Sequence, residues 1–141
     1  MTENERRLEF DKILAAAAKY CALEESRAAI LALQPATALA EANRLLDFTE
    51  EATLLLFELG AGRIEAFAPL GDALERAEKG ASLSCLELLN AASLLRSARV
   101  CYRSVQGLAS DKIPAMKELS ARLIFDEKLE EVVQNKILGE N

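Results

Sequence analysis

Apolar residues return every three or four positions along most of the chain, which is the spacing that places them on one face of an α-helix. No segment alternates apolar and polar residues as a half-buried strand does. The pattern predicts about six or seven helices, with their capping residues, over residues 8–21, 24–33, 37–59, 72–79, 84–106, 114–125 and 126–137. We therefore expect an all-α fold, an antiparallel multi-helix bundle with two long helices that forms a single domain over residues 1–141.

Sequence signals mark most of the predicted helix ends. Ser84 followed three residues later by Glu87 is a capping box, in which each residue bonds the backbone of the other. Gly80 after a lysine is typical of a helix C-terminus. The other predicted starts are Thr37, Asp72 and Asp126 as N-caps and Pro114 in a first turn.

On both long helices, apolar residues form an arc that covers more of the helix circumference than packing against one neighbouring helix requires. Leu54-Leu55-Leu56-Phe57 lies in the first of them, and Leu88-Leu89 with Leu94-Leu95 lies in the second. We expect each long helix to pack on two sides. Either the other helices of this chain cover the arcs, or another chain segment does.

Composition favours helices and argues against a broad nucleic-acid surface. Hydrophobic residues make up 51% of the chain and aromatic residues only 5%, and the net charge is −6. Arg96, Arg99 and Arg103 nevertheless recur at spacings of three and four on one face of the second long helix. They are candidates for weak contact with nucleic acid, and an ordinary solvated face is the plainer alternative.

Candidate chemistry is sparse. The chain has three cysteines and no histidine, so it lacks the ligands of a common zinc site and the base of a Cys-His pair. Cys101, between Arg99 and Arg103, is the best candidate for a reactive thiol, although a buried, reduced thiol is the plainer interpretation. Gly60-Ala61-Gly62 lacks the Lys-Ser/Thr of a phosphate loop and predicts a turn. We expect no catalytic, cofactor-binding or metal-binding residue in this chain.

No segment is typical of a secretory signal or of a membrane span. The first seven residues are polar and charged, and the longest apolar runs are far too short to cross a bilayer. We expect a cytoplasmic protein without a membrane partner.

Several short phrases, in order, carry a resemblance to a known family. They are LEFDKIL at residues 8–14, LQP at 33–35, RLL at 44–46, RAEKG at 76–80, ELL at 87–89 and LR at 95–96. In sequence and spacing they resemble the N-terminal region of bacterial MutS proteins of the second paralogue type, the branch with a Smr domain. The resemblance covers essentially the whole chain. The chain differs at Ser26-Arg27, where the family commonly has Gly-Lys, and in a shorter loop before Asp72.

The resemblance implies the core and lever segment of a larger homodimeric protein. The full-length protein would combine an ABC-type ATPase, which uses ATP and Mg²⁺, with helical levers, a clamp and a Smr endonuclease. Its implied partners are branched DNA, where it restrains recombination, and stalled or collided ribosomes. The sequence stops at residue 141, close to where the family continues into its clamp and ATPase regions, so we expect a truncated form whose partner is the remainder of the parent chain.

Two other hypotheses remain open from the sequence. One is a free-standing helical adaptor that binds a partner helix through its leucine-rich arcs. The other is a thiol-dependent enzyme, which would depend on the cysteines.

Overall fold

A computed structural model of the chain describes residues 9–60, 67–109 and 111–139. In these residues there are seven helices and no strand, which confirms the all-α prediction. The helices are α1 Phe10–Ala18, α2 Glu24–Leu31, α3 Leu39–Leu59, α4 Gly71–Glu78, α5 Cys85–Gln106, α6 Pro114–Ala121 and α7 Glu127–Leu138. The two long helices, α3 and α5, have 21 and 22 residues.

The chain divides into two compact units between Arg44 and Leu45, within α3. In the first unit α1 packs against α2, and Leu14 and Ala18 of α1 are buried. In the second unit α5 packs against both α6 and α7. The expectation of one domain over residues 1–141 stays a prediction.

The core of the second unit consists mainly of small and branched apolar side chains. Ala92 and Val105 of α5 and Val133 of α7 are buried. Ile113, the residue before α6, is only 1% exposed and is the largest fully buried side chain among the described residues. Ile113 therefore anchors the start of α6 in this core.

Three helix ends follow the sequence signals. The Ser84 hydroxyl accepts from the Glu87 amide at 3.3 Å, and the Glu87 carboxylate accepts from the Ser84 amide at 2.8 Å, so the capping box is confirmed. Asp126 caps α7 by accepting from the Leu129 amide at 3.1 Å. Pro114 begins α6, as predicted.

A glycine ends α4 as predicted. Gly80 has a φ of 84°, a left-handed conformation that glycine adopts without steric strain. The amides of Gly80 and Ala81 donate to the carbonyls of Ala77 and Arg76 at 2.9 and 3.0 Å. This pair of bonds satisfies carbonyls that the end of the helix would otherwise leave unpaired.

Two predicted caps are wrong. The N-cap of α4 is the buried residue Leu70, so Asp72 lies inside the first turn, where its carboxylate still complements the helix dipole. The start of α3 also differs, because the helix begins at Leu39 and its first bond runs from the Ala42 amide to the Ala38 carbonyl. Thr37 is therefore one residue too early to be the cap.

Two helices end three or four residues earlier than predicted. The first ends at Ala18 rather than residue 21, because the next amides bond three residues back and tighten the chain into a turn. The sixth ends at Ala121 rather than residue 125. Asp126 needs an extended backbone to cap α7, with φ −140° and ψ 102°, so the chain must leave the helical conformation before it.

The predicted turn at residues 60–62 lies outside the described residues except for Gly60. Gly60 follows α3 with a φ of 75°, as expected for a glycine that terminates a helix. The loop before Asp72 is described only from residue 67; residues 67–70 are non-helical, and Gly71 already begins α4. None of the described helices is long and apolar enough to span a membrane.

Candidate functional site

The three candidate arginines all lie on α5, whose intact helical geometry preserves their spacing. Arg96 and Arg103 are exposed, whereas Arg99 is half-buried. Residues three and four apart on a helix are surface neighbours, so the side chains form one arginine stripe, defined by Arg96, Arg99 and Arg103. The stripe predicted from the sequence therefore exists as a continuous face.

Arg99 makes three hydrogen bonds to Glu130 of α7. Its Nε donates to the two Glu130 carboxylate oxygens at 3.1 and 3.2 Å, and its Nη2 donates to Oε2 at 2.7 Å. The two side chains are only 21% and 6% exposed. A planar guanidinium held in this fork geometry fixes both the distance and the orientation between two helices.

Arg103 forms a second ion pair with α7, in which its Nη2 contacts Oε1 of Glu127. Both side chains are more than half exposed, so the pair is weaker than that of Arg99. The arginine numbers rise along α5 as the glutamate numbers fall along α7. The two helices are therefore antiparallel where they pack, in agreement with the predicted bundle.

The two ion pairs form a charged seam between α5 and α7. In this seam the glutamates of α7 neutralise two arginines of α5 within the same chain. Hydrogen bonding to Glu130 raises the pKa of the Arg99 guanidinium above its usual value, an effect that partial burial opposes. A phosphate group would have to compete with Glu127 and Glu130 for two of the three arginines. Nucleic-acid contact through the stripe stays a prediction.

A second polar seam joins α5 to α6. Nε2 of Gln106 donates to the Lys117 carbonyl at 2.8 Å and to the Ser120 hydroxyl oxygen at 2.9 Å. The Ser120 hydroxyl in turn donates to the Lys117 carbonyl at 3.0 Å, and Ser120 is only 5% exposed. Because buried polar groups are costly unless they are hydrogen-bonded, this small network fixes the end of α5 against α6.

The aromatic rings of Tyr102 and Phe125 contact each other. Their centroids are 5.2 Å apart and their planes are tilted by 48°. The contact connects α5 to the segment between α6 and α7.

Helix α3 contributes one carboxylate to the start of α6. Oε2 of Glu51 accepts a hydrogen bond from the Met116 amide at 2.8 Å. That amide is one of the unpaired donors of the first turn, and a negative charge there complements the helix dipole. Glu51 therefore serves as an N-cap supplied by a different helix.

The sequence did not single out Glu51, Gln106, Glu127 or Glu130. Each acts on a residue at least 11 positions away, so no local spacing marks the contact. The one available signal was the pair of acids in the first turn of α7, which are three residues apart and so lie on one helix face, as the arginines do.

The cysteines offer little support for the thiol-dependent enzyme. All three are free, Cys85 is exposed and the other two are partly buried. Burial raises the pKa of the Cys101 thiol, and the neighbouring arginines pair with glutamates, so the reactive thiolate is disfavoured. Among the described residues, no group of three His, Cys, Asp or Glu side chains is placed to hold a metal ion.

Curated relatives match nearly all of this chain. Endonuclease MutS2 of Clostridium beijerinckii is 30% identical over 137 residues, which are 96% of this chain and 17% of that protein. Endonuclease MutS2 of Ruminiclostridium cellulolyticum is 30% identical over 141 residues, with the same two shares. Endonuclease MutS2 of Clostridium acetobutylicum is 29% identical over 136 residues, again with these shares. No family model and no solved structure matches the chain.

The chain thus spans about 17% of the length of the curated relatives it matches. The seven helices agree with the helical segment that the sequence phrases implied. The resemblance to MutS proteins of the second type is therefore confirmed: the chain is similar along nearly its whole length to an N-terminal segment of the MutS2 endonucleases, and the Smr domain stays a prediction.

Proposed function

We propose that this chain is the non-catalytic core and lever segment of a MutS-type DNA-dependent ATPase and endonuclease. The support is the match of 96% of the chain to only 17% of proteins named endonucleases. Such a segment, if it lacks a site of its own, contributes to the enzyme by positioning and moving other regions. The lever proposal therefore concerns mechanics and not chemistry.

The mechanical role is supported by the hydrogen bonds that hold α5 against its two neighbouring helices. At 1.5 Å per residue, its 22 residues give a rod of about 33 Å. Arg99 fixes the rod to α7, and Gln106 fixes it to α6, through hydrogen bonds that are shielded from water. Helices held in this way move together as a rigid body, which is how a displacement at one end reaches the other.

The remaining functions belong to the proposed full-length protein. We propose a homodimer in the cytoplasm whose ABC-type ATPase uses ATP and Mg²⁺ and whose Smr domain supplies the nuclease. Its proposed substrates are branched DNA, with a role in restraining recombination, and stalled or collided ribosomes. In this segment, Arg96, Arg99 and Arg103 would add only weak, salt-sensitive contact with nucleic acid.

Nucleotide binding by the isolated chain tests the proposal that the ATP site lies outside this segment. Titration calorimetry of the 141-residue chain with ATP and Mg²⁺ should show no binding, because the phosphate loop of the proposed parent lies outside it. Micromolar ATP binding by the chain alone would contradict the proposal.

The lever role needs a test in the full-length protein. Glu130→Ala should reduce the stimulation of ATP hydrolysis by branched DNA while leaving basal hydrolysis unchanged, since it loosens α7 from α5. Arg103→Ala, which removes an exposed ion pair between the same two helices, is the matched control and should leave the stimulation nearly unchanged. Equal stimulation in both variants and in the wild type would rule out coupling through this seam.

A free-standing helical adaptor is the second candidate, and the exposed leucines of α3 favour it. Leu39, Leu46 and Leu56 are 78%, 65% and 59% exposed. The two candidates differ in the DNA sequence that follows codon 141. A reading frame that continues into a GxxxxGK[ST] motif supports the lever segment, and a stop codon there supports the adaptor.

A further inference from the structure

The lever role does not use the solvent side of α3, although the adaptor alternative would use its leucines. The structure describes all 21 residues of this helix, and none of them is buried. Leu46, Leu56 and Phe57 are 65%, 59% and 84% exposed, and Thr53 between them is exposed as well. We define these four residues as the outer face of α3.

Helix geometry makes the outer face a continuous strip. At 100° per residue, Leu46, Thr53 and Phe57 point within about 40° of one another, and Leu56 adjoins them on one side. The strip is about 16 Å long from Leu46 to Phe57, or three helical turns. This spacing matches the anchors by which one helix lies against another.

The threonines do not make the strip polar. The hydroxyl of Thr53 donates to the Thr49 carbonyl at 2.8 Å, and that of Thr49 donates to the Leu45 carbonyl at 2.8 Å. Each donor is therefore satisfied within α3, and the threonine methyl groups are available for apolar contact.

One side of the outer face is acidic. Asp47, Glu50 and Glu58 are exposed and point within about 80° of one another, next to the strip. Residues 46–58 contain no lysine or arginine. Glu51 is engaged with the Met116 amide and is not part of this flank. The flank thus carries three carboxylates to which residues 46–58 add no cation, and the cation of this helix, Arg44, lies before them at the end of the flank.

We infer that the outer face of α3 binds an amphipathic helix whose apolar side is flanked by lysine or arginine. The strip supplies the apolar contact, and the acidic flank selects the sign of the partner's charge. A second copy of α3 would bring like charges together, and nucleic acid or an anionic lipid surface would be repelled. The inference rests on α3 alone and does not depend on the proposed function.

The test uses designed helical peptides as probes. A fluorescein-labelled peptide of about three heptads, with leucine at the two core positions and lysine at the flanking positions, is titrated with the 141-residue chain. The comparison peptide has glutamate in place of each lysine. Fluorescence anisotropy should show the lysine peptide binding at least about tenfold more tightly, with the difference shrinking as salt is added.

Variants of the chain separate the two contributions. Leu46→Ser with Phe57→Ser should weaken binding of the lysine peptide about tenfold or more at every salt concentration, because the apolar contact is lost. Asp47→Asn with Glu50→Gln and Glu58→Gln should weaken it at low salt and flatten its salt dependence. Leu86→Ser with Ile124→Ser is the matched control, since these side chains are 67% and 85% exposed outside the outer face.

Both the peptide titrations and sedimentation analysis can contradict the proposal. Equal affinity for the two peptides, or an equal loss of binding in the control variant, would overturn it. Sedimentation analysis supplies a further check. A concentration-dependent dimer that Leu46→Ser with Phe57→Ser abolishes would assign the face to a second copy of the chain and would also overturn the proposal. Far-UV circular dichroism should be unchanged in every variant, because the altered side chains are exposed.

Discussion

Helices α3 and α5 are nearly equal in length, yet their surroundings differ. Helix α5 has Ala92, Ser97 and Val105 buried, whereas no residue of α3 is buried. Both helices carry wide leucine arcs. The apolar pattern that predicts a helix therefore does not say how much of it the rest of the chain covers.

Polar contacts reinforce the contrast. Helix α5 begins with a capping box and is joined to its neighbours through Arg99 and Gln106. Helix α3 gives Glu51 to the start of α6 and leaves its outer face in solvent. We conclude that α5 is built for stiffness, whereas α3 is open to a partner.

The largest effect should come from breaking the buried ion pair of α5. Glu130→Ala should destabilise the chain by about 3 to 5 kcal/mol, because it leaves the mostly buried Arg99 without its carboxylate. Urea unfolding followed by circular dichroism measures the loss.

Two controls sharpen that measurement. Arg103→Ala removes the exposed pair and should cost about 1 kcal/mol or less. Arg99→Met with Glu130→Leu removes both charges of the buried pair and should recover most of the stability. A loss in Glu130→Ala no larger than in Arg103→Ala would show that the buried pair does not brace α5.

The second-largest loss of stability should come from a substitution in the core beside α5. Ile113→Ala should cost about 2 to 4 kcal/mol, because it opens a cavity at the most deeply buried large side chain of the described core. Ile124→Ala is the control, at 85% exposure, and should change stability by less than about 0.5 kcal/mol. Similar midpoints for the two variants in urea would contradict the observed packing.

A smaller, pH-dependent effect should arise at the start of α5. Hydrogen bonds from Ser84, with a further contribution from Arg76, hold the pKa of Glu87 below its ordinary value of 4.5. The stabilisation is therefore fully present above pH 4.5 and is lost as the pH falls through the lowered pKa of Glu87.

Glu87→Gln isolates this contribution from that of the other carboxylates. The difference in unfolding free energy between the wild type and Glu87→Gln should be constant well above pH 4.5 and shrink as the pH falls through the lowered pKa of Glu87. Denaturation at a series of pH values measures it. A difference that does not change with pH would show that Glu87 does not titrate as the capping geometry requires.

The smallest effect on stability should come from the outer face of α3. Leu46→Ser and Phe57→Ser should each change the free energy of unfolding by less than about 0.5 kcal/mol, since neither side chain is buried. Thermal unfolding of the single variants checks this. A loss of several kcal/mol would mean that these side chains are covered in solution and would remove the contrast between the two helices.

The sequence predicted the features of this fold that depend on neighbouring residues. The capping box at Ser84 and Glu87, the glycine after α4 and the proline that begins α6 all act within one turn of helix. The cap at Asp72 failed because the burial of Leu70, a tertiary effect, places the helix start before it.

The candidate site was only half predictable for the same reason. The spacing of the arginines follows from the helical period, so the sequence located the stripe. Their carboxylate partners lie 24 and 31 residues away, and only the antiparallel packing of α7 on α5 brings them close. A stripe that suggests phosphate binding in the sequence is, at Arg99 and Arg103, a set of ion pairs in the structure.

The two ion pairs between α5 and α7 also favour one direction of sliding between the helices over the other. If α7 slid by one turn towards the N-terminus of α5, Glu130 would come opposite Arg96 and Glu127 opposite Arg99, so both carboxylates would find a cation again. A slide of one turn the other way would set Arg99 opposite the neutral side chain of Gln134. The charges therefore allow α7 to slide by one turn towards the N-terminus of α5, and they oppose a slide towards its C-terminus.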